Sequence, residues 1–345
     1  MTNTKEKYIA TLIGCGIGDT LGMPVEMWNR EQIKKYLKKV TDIITPFFIR
    51  DEKGEVVKED EFGRLRYWGK DLLKGEYTDD TILTLAIAES IAEKKSLDFE
   101  YICKKQAEVY NSLRKPNGNI KGGFGKTTRD AFEKILSGVS PLESGISPGP
   151  GTGPCMKMSP IGLYMHATRE YDKGIEMSRL ISRATHLDER SIASGVAQAH
   201  AVFQLLNEPT KQEFLDSIVG ACIKNEKKQE YDALPEKGNL ASKLIWVKEN
   251  QDVLDEKAYE YLGSSPLVFE AYPFTIFMFQ KYWDKPLKGL IETVNYGGDC
   301  DTTGAMFGAL AGAKNGMIFP ESWVNVLQNK DRLKSAAEGI YNLKS

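Results

Sequence analysis

The amino-acid sequence predicts an all-α fold, and three observations support this prediction. Apolar residues recur at steps of four and three over 192–206, which places one apolar stripe on a helix. Similar stripes occur throughout the chain, whereas strand signals are limited to one candidate hairpin over 43–57. The 345 residues are 41% hydrophobic, which is enough for a large core. We therefore expect one domain over residues 1–345.

The same periodicity predicts the helices in chain order. They lie at 5–17, 31–39, 79–94, 98–111, 127–137, 173–182, 189–206, 212–224, 268–281, 286–294, 302–316 and 323–341. The 79–94 segment is apolar on nearly every side, so we expect a central helix there. In 302–316, Gly-Ala pairs begin at Gly304, Gly308 and Gly312. One face of that helix is therefore nearly bare backbone, which predicts close contact with another helix.

Composition excludes several classes of protein. The 46 Lys and Arg nearly balance the 48 Asp and Glu, so the net charge of −2 gives no signal for nucleic acid or a membrane surface. The five scattered cysteines contain no C-x-x-C pair, which fits neither a disulfide framework nor a zinc cluster. Residues 1–8 contain no apolar leader, and the longest apolar stretch, near 271–279, is too short to span a bilayer. We expect a soluble, cytoplasmic monomer with no membrane partner.

Three acidic segments, far apart in the sequence, predict one composite metal site. They are Tyr296-Gly-Gly-Asp-Cys-Asp-Thr-Thr-Gly304, Thr78-Asp-Asp-Thr81 and Gly18-Asp-Thr-Leu-Gly-Met-Pro-Val-Glu26. Carboxylate and hydroxyl oxygens are hard ligands that suit Mg²⁺ or Mn²⁺, and the chain has three histidines, which disfavours zinc.

Each of these motifs also has a simpler interpretation. Thr78-Asp-Asp80 alone is most simply a helix N-cap with an acidic first turn. Two features favour metal: the helix is predicted to be buried, where unpaired carboxylates are costly, and a second Asp-x-Asp-Thr also opens a helix. Glu26 alone would be an exposed loop residue. His186 fits a ligand contact and a capping or core role about equally.

Two glycine-rich segments imitate nucleotide-binding motifs but lack their spacing. Before Gly125-Lys-Thr127, a phosphate loop requires glycine where this chain has Ile120. In Gly14-Cys-Gly-Ile-Gly-Asp19, an aspartate stands where a dinucleotide fingerprint requires its third glycine. The Gly- and Pro-rich segment over 147–154 fits either a linker or a rigid functional loop that presents backbone N–H groups.

Taken together, these segments resemble the ADP-ribosylglycohydrolase family. The resemblance covers the chain in order through Gly18–Glu26, Tyr77-Thr-Asp-Asp-Thr81, Gly123-Phe-Gly125, Gly151-Thr-Gly-Pro-Cys-Met-Lys157, Thr185-His186 and Gly297-Gly-Asp-Cys-Asp-Thr-Thr303. It implies a single compact multi-helix orthogonal bundle that hydrolyses the bond at the anomeric carbon of an ADP-ribosylated protein side chain or small molecule.

The resemblance also implies residue roles. Two Mg²⁺ or Mn²⁺ ions would be held by Thr78, Asp79, Asp80, Asp299, Asp301 and Thr302. Catalysis would involve Glu26, Asp80 and Asp301. Substrate would contact Gly123, Phe124, Gly125, Gly151, Thr152, Gly153, Met156, His186 and Tyr296.

The chain departs from the family pattern at two positions that bear on substrate. Thr152 stands where asparagine is usual, and Lys157 where arginine is common. The group attached to the ribose is therefore left open. Three alternatives also remain: a glycosidase for another ribosyl N-glycoside, a metal phosphohydrolase, and a non-catalytic ADP-ribose-binding protein.

Overall fold

A computed structural model describes residues 3–44, 72–147, 149–229, 234 and 238–344. Within these ranges the chain forms sixteen α-helices and no β-strand, so the all-α prediction is confirmed. The candidate hairpin around Asp51–Gly54 lies outside the described residues. The helices are α1 (Thr4–Gly22), α2 (Arg30–Leu37), α3 (Asp79–Lys94), α4 (Phe99–Ser112), α5 (Lys126–Leu136), α6 (Ser159–Thr168), α7 (Tyr171–Arg183), α8 (Glu189–Leu206), α9 (Lys211–Asn225), α10 (Leu240–Glu249), α11 (Asp255–Leu262), α12 (Val268–Lys281), α13 (Pro286–Val294), α14 (Cys300–Asn315), α15 (Glu321–Val326) and α16 (Lys330–Tyr341).

Most predicted helices are present, but the expectation of one helix over 323–341 is wrong. The chain breaks between α15 and α16, where Asn329 has a left-handed backbone with φ 52°. At the break, the N–H of Gln328 donates to the carbonyl of Gly75 at 2.8 Å. A contact from a distant segment therefore interrupts a pattern that looks continuous in sequence. Helices α6, α10 and α11 were not predicted.

Helices α1 and α14 form the most extensive helix pair in the described part of the chain. A Cβ atom added to Gly18 would lie 1.9 Å from the carbonyl oxygen of Gly304, and one added to Gly308 would lie 2.0 Å from that of Gly14. Only glycine allows backbones to approach this closely. The predicted close contact of the glycine face is confirmed, and it fixes the start of α14 against α1.

Helix α3 is central, as its apolar pattern predicts. Leu83, Ile87 and Ile91 are completely buried, and α3 packs against α1, α4 and α16. Asp79 and Asp80 at its first turn are buried as well. Helix α3 therefore places two carboxylates in the interior of the protein.

One segment passes the test of length and apolar composition for a membrane-spanning helix, namely Thr4–Val25. Of its most apolar window, 89% is buried inside the protein. Packing in the core accounts for this apolar character.

Candidate active site

Three helix N-termini meet at one cavity of about 280 Å³. They are those of α3, α5 and α14, and the loops around 26, 123, 151 and 266 complete the wall. The lining residues are Glu26, Asp79, Asp80, Gly123, Gly125, Lys126, Thr127, Thr128, Gly151, Thr152, Gly153, Met156, His186, Pro266, Asp299, Asp301 and Thr302. The cavity thus gathers the acidic segments that the sequence predicted to converge.

The start of α3 contributes two buried carboxylates. The N–H of Asp79 donates to the carbonyl of Gly122 at 2.7 Å, which ties this end of the helix to the glycine loop. The Thr78 hydroxyl lies 3.0 Å from Oδ2 of Asp80. Oδ1 of Asp80 is buried and has no hydrogen-bond partner among the described residues. A buried carboxylate oxygen without a donor is costly unless a cation approaches it.

The start of α14 is positioned by a tight turn. Gly297 and Gly298 have φ values of 75° and 69°, a conformation that favours glycine. The N–H of Gly298 donates to the carbonyl of Trp28 at 2.8 Å, and the N–H of Met27 donates back to Gly298 at 2.6 Å. This exchange joins the segment after Glu26 to the segment before Asp299.

Three carboxylates from these two segments converge. Glu26, Asp299 and Asp301 each offer one oxygen such that all three oxygens lie within 4.8 Å of one another, and all three residues are buried. Carboxylates crowded in this way repel one another, and burial strengthens the repulsion. The donor set is all oxygen, which fits a hard divalent cation. The residues present therefore fit the metal centre that the resemblance implies.

Burial and mutual repulsion raise the pKa values of the α3 carboxylates. The pKa of Asp79 and that of Asp80 lie well above the ordinary value, first because both groups are buried and next because Asp301 and Asp19 are close. A cluster of this kind is stabilised by bound cations, which offset the repulsion directly.

Asp19 on α1 is a site residue to which sequence reasoning gave no role. Its carboxylate is completely buried and accepts hydrogen bonds from Thr78 and Thr81 at the start of α3. Burial and the nearby Asp301 raise its pKa to about 7, although the hydrogen bonds oppose the rise. The Gly-Asp pair inside an acidic segment was visible in the sequence, but its partners are about sixty residues away.

The helix-cap interpretation of the Thr78 segment is correct in position, because Asp79 and Asp80 form an acidic first turn, but not in its hydrogen bonding. Thr78 is the N-cap residue of α3, but its side chain makes no capping hydrogen bond. The N–H groups of Thr78 and Thr81 are instead satisfied by Asp19 from another helix, at 3.0 and 3.1 Å. The Thr78 hydroxyl faces Asp19 and Asp80.

The loop after Gly149 forms one wall and is held at several points. The Ser191 hydroxyl lies 2.8 Å from the carbonyl of Gly151, to which it donates, and the N–H of Val268 donates to that of Pro150 at 2.8 Å. The Thr152 hydroxyl donates to Oδ2 of Asp299 at 3.0 Å. The residue that replaces the family's asparagine therefore contacts a candidate metal ligand.

His186 lines the cavity beside this loop and contacts it. Its ring is buried, and a Cβ added to Gly153 would lie 2.5 Å from it, so the glycine is required by the close contact. Nδ1 lies 2.9 Å from the hydroxyl of Thr185. Burial, followed by the charge of Lys157, lowers the pKa of His186 to about 3. The imidazole is therefore neutral at physiological pH.

The start of α5 forms another part of the cavity wall. Gly125 is the N-cap residue and supplies no side-chain cap, and open space surrounds the position where its Cβ would be. Unpaired N–H groups at a helix N-terminus form an anion site. The lining residues Lys126, Thr127 and Thr128 were not predicted as site residues. The first two belong to the segment that resembles a phosphate loop but lacks its glycine spacing. Pro266 had no sequence signal.

Three predicted site residues do not line this cavity. Thr78 is completely buried, with its hydroxyl 3.0 Å from Oδ2 of Asp80. Phe124 packs edge-on against Tyr110, with ring centroids 5.2 Å apart. Tyr296 packs against Phe274 at 5.3 Å and carries the Arg30 guanidinium over its ring at 4.5 Å. Contact of substrate with either aromatic ring stays a prediction.

Comparison with known proteins gives the same family as the sequence motifs. The family model described as ADP-ribosylglycohydrolase matches residues 1–345. ADP-ribosylhydrolase ARH3 of Mus musculus is 26% identical over 294 residues, which cover 77% of each chain. The ADP-ribosyl-[dinitrogen reductase] glycohydrolase of Rhodospirillum rubrum is 27% identical over 330 residues, covering 94% of this chain and 91% of that protein.

A solved structure described as an ADP-ribosylglycohydrolase-related protein complex shares the fold. Its TM-score is 0.68 at 22% identity, and the match covers 100% of both chains. Together with the family model over the whole sequence, these findings show that the chain belongs to the ADP-ribosylglycohydrolase family.

Proposed function

We propose that this protein is a divalent-metal-dependent hydrolase that cleaves the bond between ribose C1 and the group attached to it in an ADP-ribosylated side chain or small molecule. One observation carries the proposal. One carboxylate oxygen from each of Glu26, Asp299 and Asp301 lies within 4.8 Å of the other two, and the buried carboxylates of Asp79 and Asp80 line the same cavity. Family membership supports the substrate class.

Two Mg²⁺ or Mn²⁺ ions would be held in this cluster. The ligands would be Thr78, Asp79, Asp80, Asp299, Asp301 and Thr302. When bound, such ions supply positive charge that lowers the pKa of water and binds sugar hydroxyls. The unpartnered Oδ1 of Asp80 is the feature that best supports a cation at the α3 side of the cavity.

The remaining walls suit the rest of ADP-ribose. The uncapped N-terminus of α5 and the glycines at 151 and 153 would present backbone N–H groups to diphosphate oxygens. The neutral His186 lies against the 151–153 loop, where its ring would orient that loop or hydrogen-bond the ligand. A cavity of about 280 Å³ would enclose a ribose and leave the adenosine half more exposed.

Glu26 is the residue best suited to move a proton. It is buried at the cavity wall and its carboxylate faces those of Asp299 and Asp301. Breaking a ribosyl bond develops oxocarbenium character at C1, and the attacking water must lose a proton. A carboxylate in this position would accept that proton and deliver it to the leaving group.

Thr152 and Lys157, the two departures from the family pattern, are both engaged or buried and would not contact the leaving group directly. Thr152 donates to Asp299, so its hydroxyl is engaged by a candidate ligand. Lys157 is completely buried, and burial lowers its pKa to about 8. Neither side chain would act as a freely exposed contact for the group attached to ribose.

A panel of ADP-ribosylated substrates tests the proposal. We expect ADP-ribose to be released from at least one arginine-, serine- or other side-chain conjugate in the presence of Mg²⁺ or Mn²⁺, and not after treatment with a chelator. Mass spectrometry of the products identifies both fragments. Release of a base from nucleoside-like compounds alone would favour the ribosyl glycosidase, and release of inorganic phosphate would favour the phosphohydrolase. Tight ADP-ribose binding with no turnover of any conjugate would favour the non-catalytic protein.

A further inference from the structure

Asp19 occupies an unusual position for a carboxylate, because it lies inside the core on α1 and is completely buried. Four donors from the start of α3 point at it. The N–H groups of Thr78 and Thr81 lie at 3.0 and 3.1 Å, and their hydroxyls lie at 2.9 and 2.6 Å. Asp19 therefore caps a helix that belongs to a different part of the chain.

This hydrogen bonding leaves Asp19 little capacity for any other ligand. A carboxylate has about four lone-pair sites. Two N–H groups and the Thr81 hydroxyl are directed at Asp19, and the Thr78 hydroxyl is shared between Asp19 and Asp80. Asp19 is also absent from the residues that line the cavity. Direct contact with a metal ion or substrate is therefore not its role.

The same helix segment is fixed against the other half of the acidic cluster. Gly18 packs on the backbone of Gly304, and Gly22 packs on Cys300, where an added Cβ would lie 2.2 Å from the carbonyl oxygen. Asp19 lies between these two contacts. One short stretch of α1 therefore contacts both the start of α14 and the start of α3.

We propose that Asp19 is a positioning residue that sets the separation between the two sets of candidate metal ligands, Asp79 with Asp80 on α3 and Asp299 with Asp301 at α14. This inference rests on the proposed function. Asp19 accepts the N–H groups of Thr78 and Thr81 and the Thr81 hydroxyl, and it shares the Thr78 hydroxyl with Asp80, so it holds the α3 end in one place. The glycine contacts hold the α14 end relative to it. Asp19 acts on the metal only through these residues.

Asp19→Asn is the discriminating variant. The amide keeps the shape of the side chain but replaces an acceptor oxygen by an N–H₂ group, which would face the N–H and O–H donors of Thr78 and Thr81. The α3 end must then shift to relieve the conflict. Substitutions of residues that orient metal ligands typically reduce metal affinity or activity about 10–100-fold. We expect the Kd for Mn²⁺ to rise by about that factor.

Titration calorimetry of metal-free protein with Mn²⁺ measures this Kd without turnover. The matched control is Glu226→Gln, because Glu226 also caps another helix, accepting the N–H groups of Leu240 and Ala241 at 2.8 Å each, but does not line the cavity. Both variants lose a cap and some stability, but only Asp19→Asn should lose Mn²⁺ affinity. At saturating Mn²⁺, Asp19→Asn should recover most of its hydrolysis rate, as expected if it weakens binding and not chemistry.

The outcomes separate this inference from the proposed function. If the wild-type protein binds no Mn²⁺, the metal centre of the proposed function is wrong. If it binds Mn²⁺ and Asp19→Asn binds it equally well, the positioning role alone is wrong. Should Asp19→Asn fail to fold, Thr81→Val decides, because it removes one 2.6 Å hydrogen bond to Asp19 with almost no change in shape. We expect a smaller rise in Kd, and an unchanged Kd would overturn the inference.

Discussion

Asp301→Asn is expected to reduce hydrolysis by at least about 10³-fold, because removal of one charge from a metal centre costs several kcal/mol of transition-state stabilisation. Asp301 lies at the first turn of α14 and is one of the three carboxylates that converge within 4.8 Å. The amide is nearly isosteric, so the helical circular dichroism should be unchanged. Initial rates and Mn²⁺ titration of the same preparation provide the measurement.

The matched control for this variant is Asp98→Asn. Asp98 is also an aspartate at a helix N-terminus, where it accepts the N–H of Tyr101 at 3.0 Å, but it lies outside the cavity. Asparagine is a good N-cap residue, so activity and stability should hardly change. If Asp301→Asn retains activity and Mn²⁺ affinity like the control, its assignment as a ligand is wrong.

Gly308→Ala is expected to lower the free energy of unfolding by about 3 kcal/mol, since overpacking of a tight core contact has a cost of this order. The added Cβ would lie 2.0 Å from the carbonyl oxygen of Gly14, and backbone atoms on both helices must move to admit it. Because the same helix pair positions Asp301, Mn²⁺ affinity should fall as well. Urea denaturation measures the first effect and calorimetry the second.

Gly220→Ala serves as the control and should change stability in the opposite direction. Gly220 lies on the exposed side of α9, and nothing lies within 4 Å of the position of its Cβ. Alanine in an open helical position stabilises by about 1 kcal/mol relative to glycine. Equal effects of the two substitutions would show that the contact between α1 and α14 is not tightly constrained.

Patterns within short sequence segments correctly predicted the central helix and the close contact of the glycine face. The bounds of the central helix were predicted correctly because apolar residues on all sides fix it in the core. The glycine face at 304–312 was informative because the absence of side chains has one principal structural use. The break before α16 was missed because the contact made there, to the carbonyl of Gly75, is remote in sequence.

In the candidate site, too, features carried by one short segment were predicted, and features that depend on distant segments were not. The acidic segments were identified because carboxylates next to glycines and hydroxyls are rare inside a core. Substrate contact by Phe124 and Tyr296 stays a prediction, and the aromatic partners that the structure gives them, Tyr110 for one and Phe274 for the other, come from distant segments. The role of Asp19 depends on donors at Thr78 and Thr81, and no local pattern indicates them.

The structure also bears on the phosphohydrolase alternative. That chemistry requires its Asp-x-Asp after a hydrophobic strand, whereas Asp299 follows helix α13 and a glycine turn. The five cysteines are free and buried. The monomeric state and the cytoplasmic location stay predictions.

Anomalous diffraction from crystals grown with Mn²⁺ tests the metal centre most directly. We expect strong peaks inside the cavity, within coordination distance of carboxylates from both the α3 and the α14 sets, with Asp80 on one side and Asp299 and Asp301 on the other. Peaks confined to surface carboxylates, or a filled cavity in which only one set contacts the ion, would contradict it.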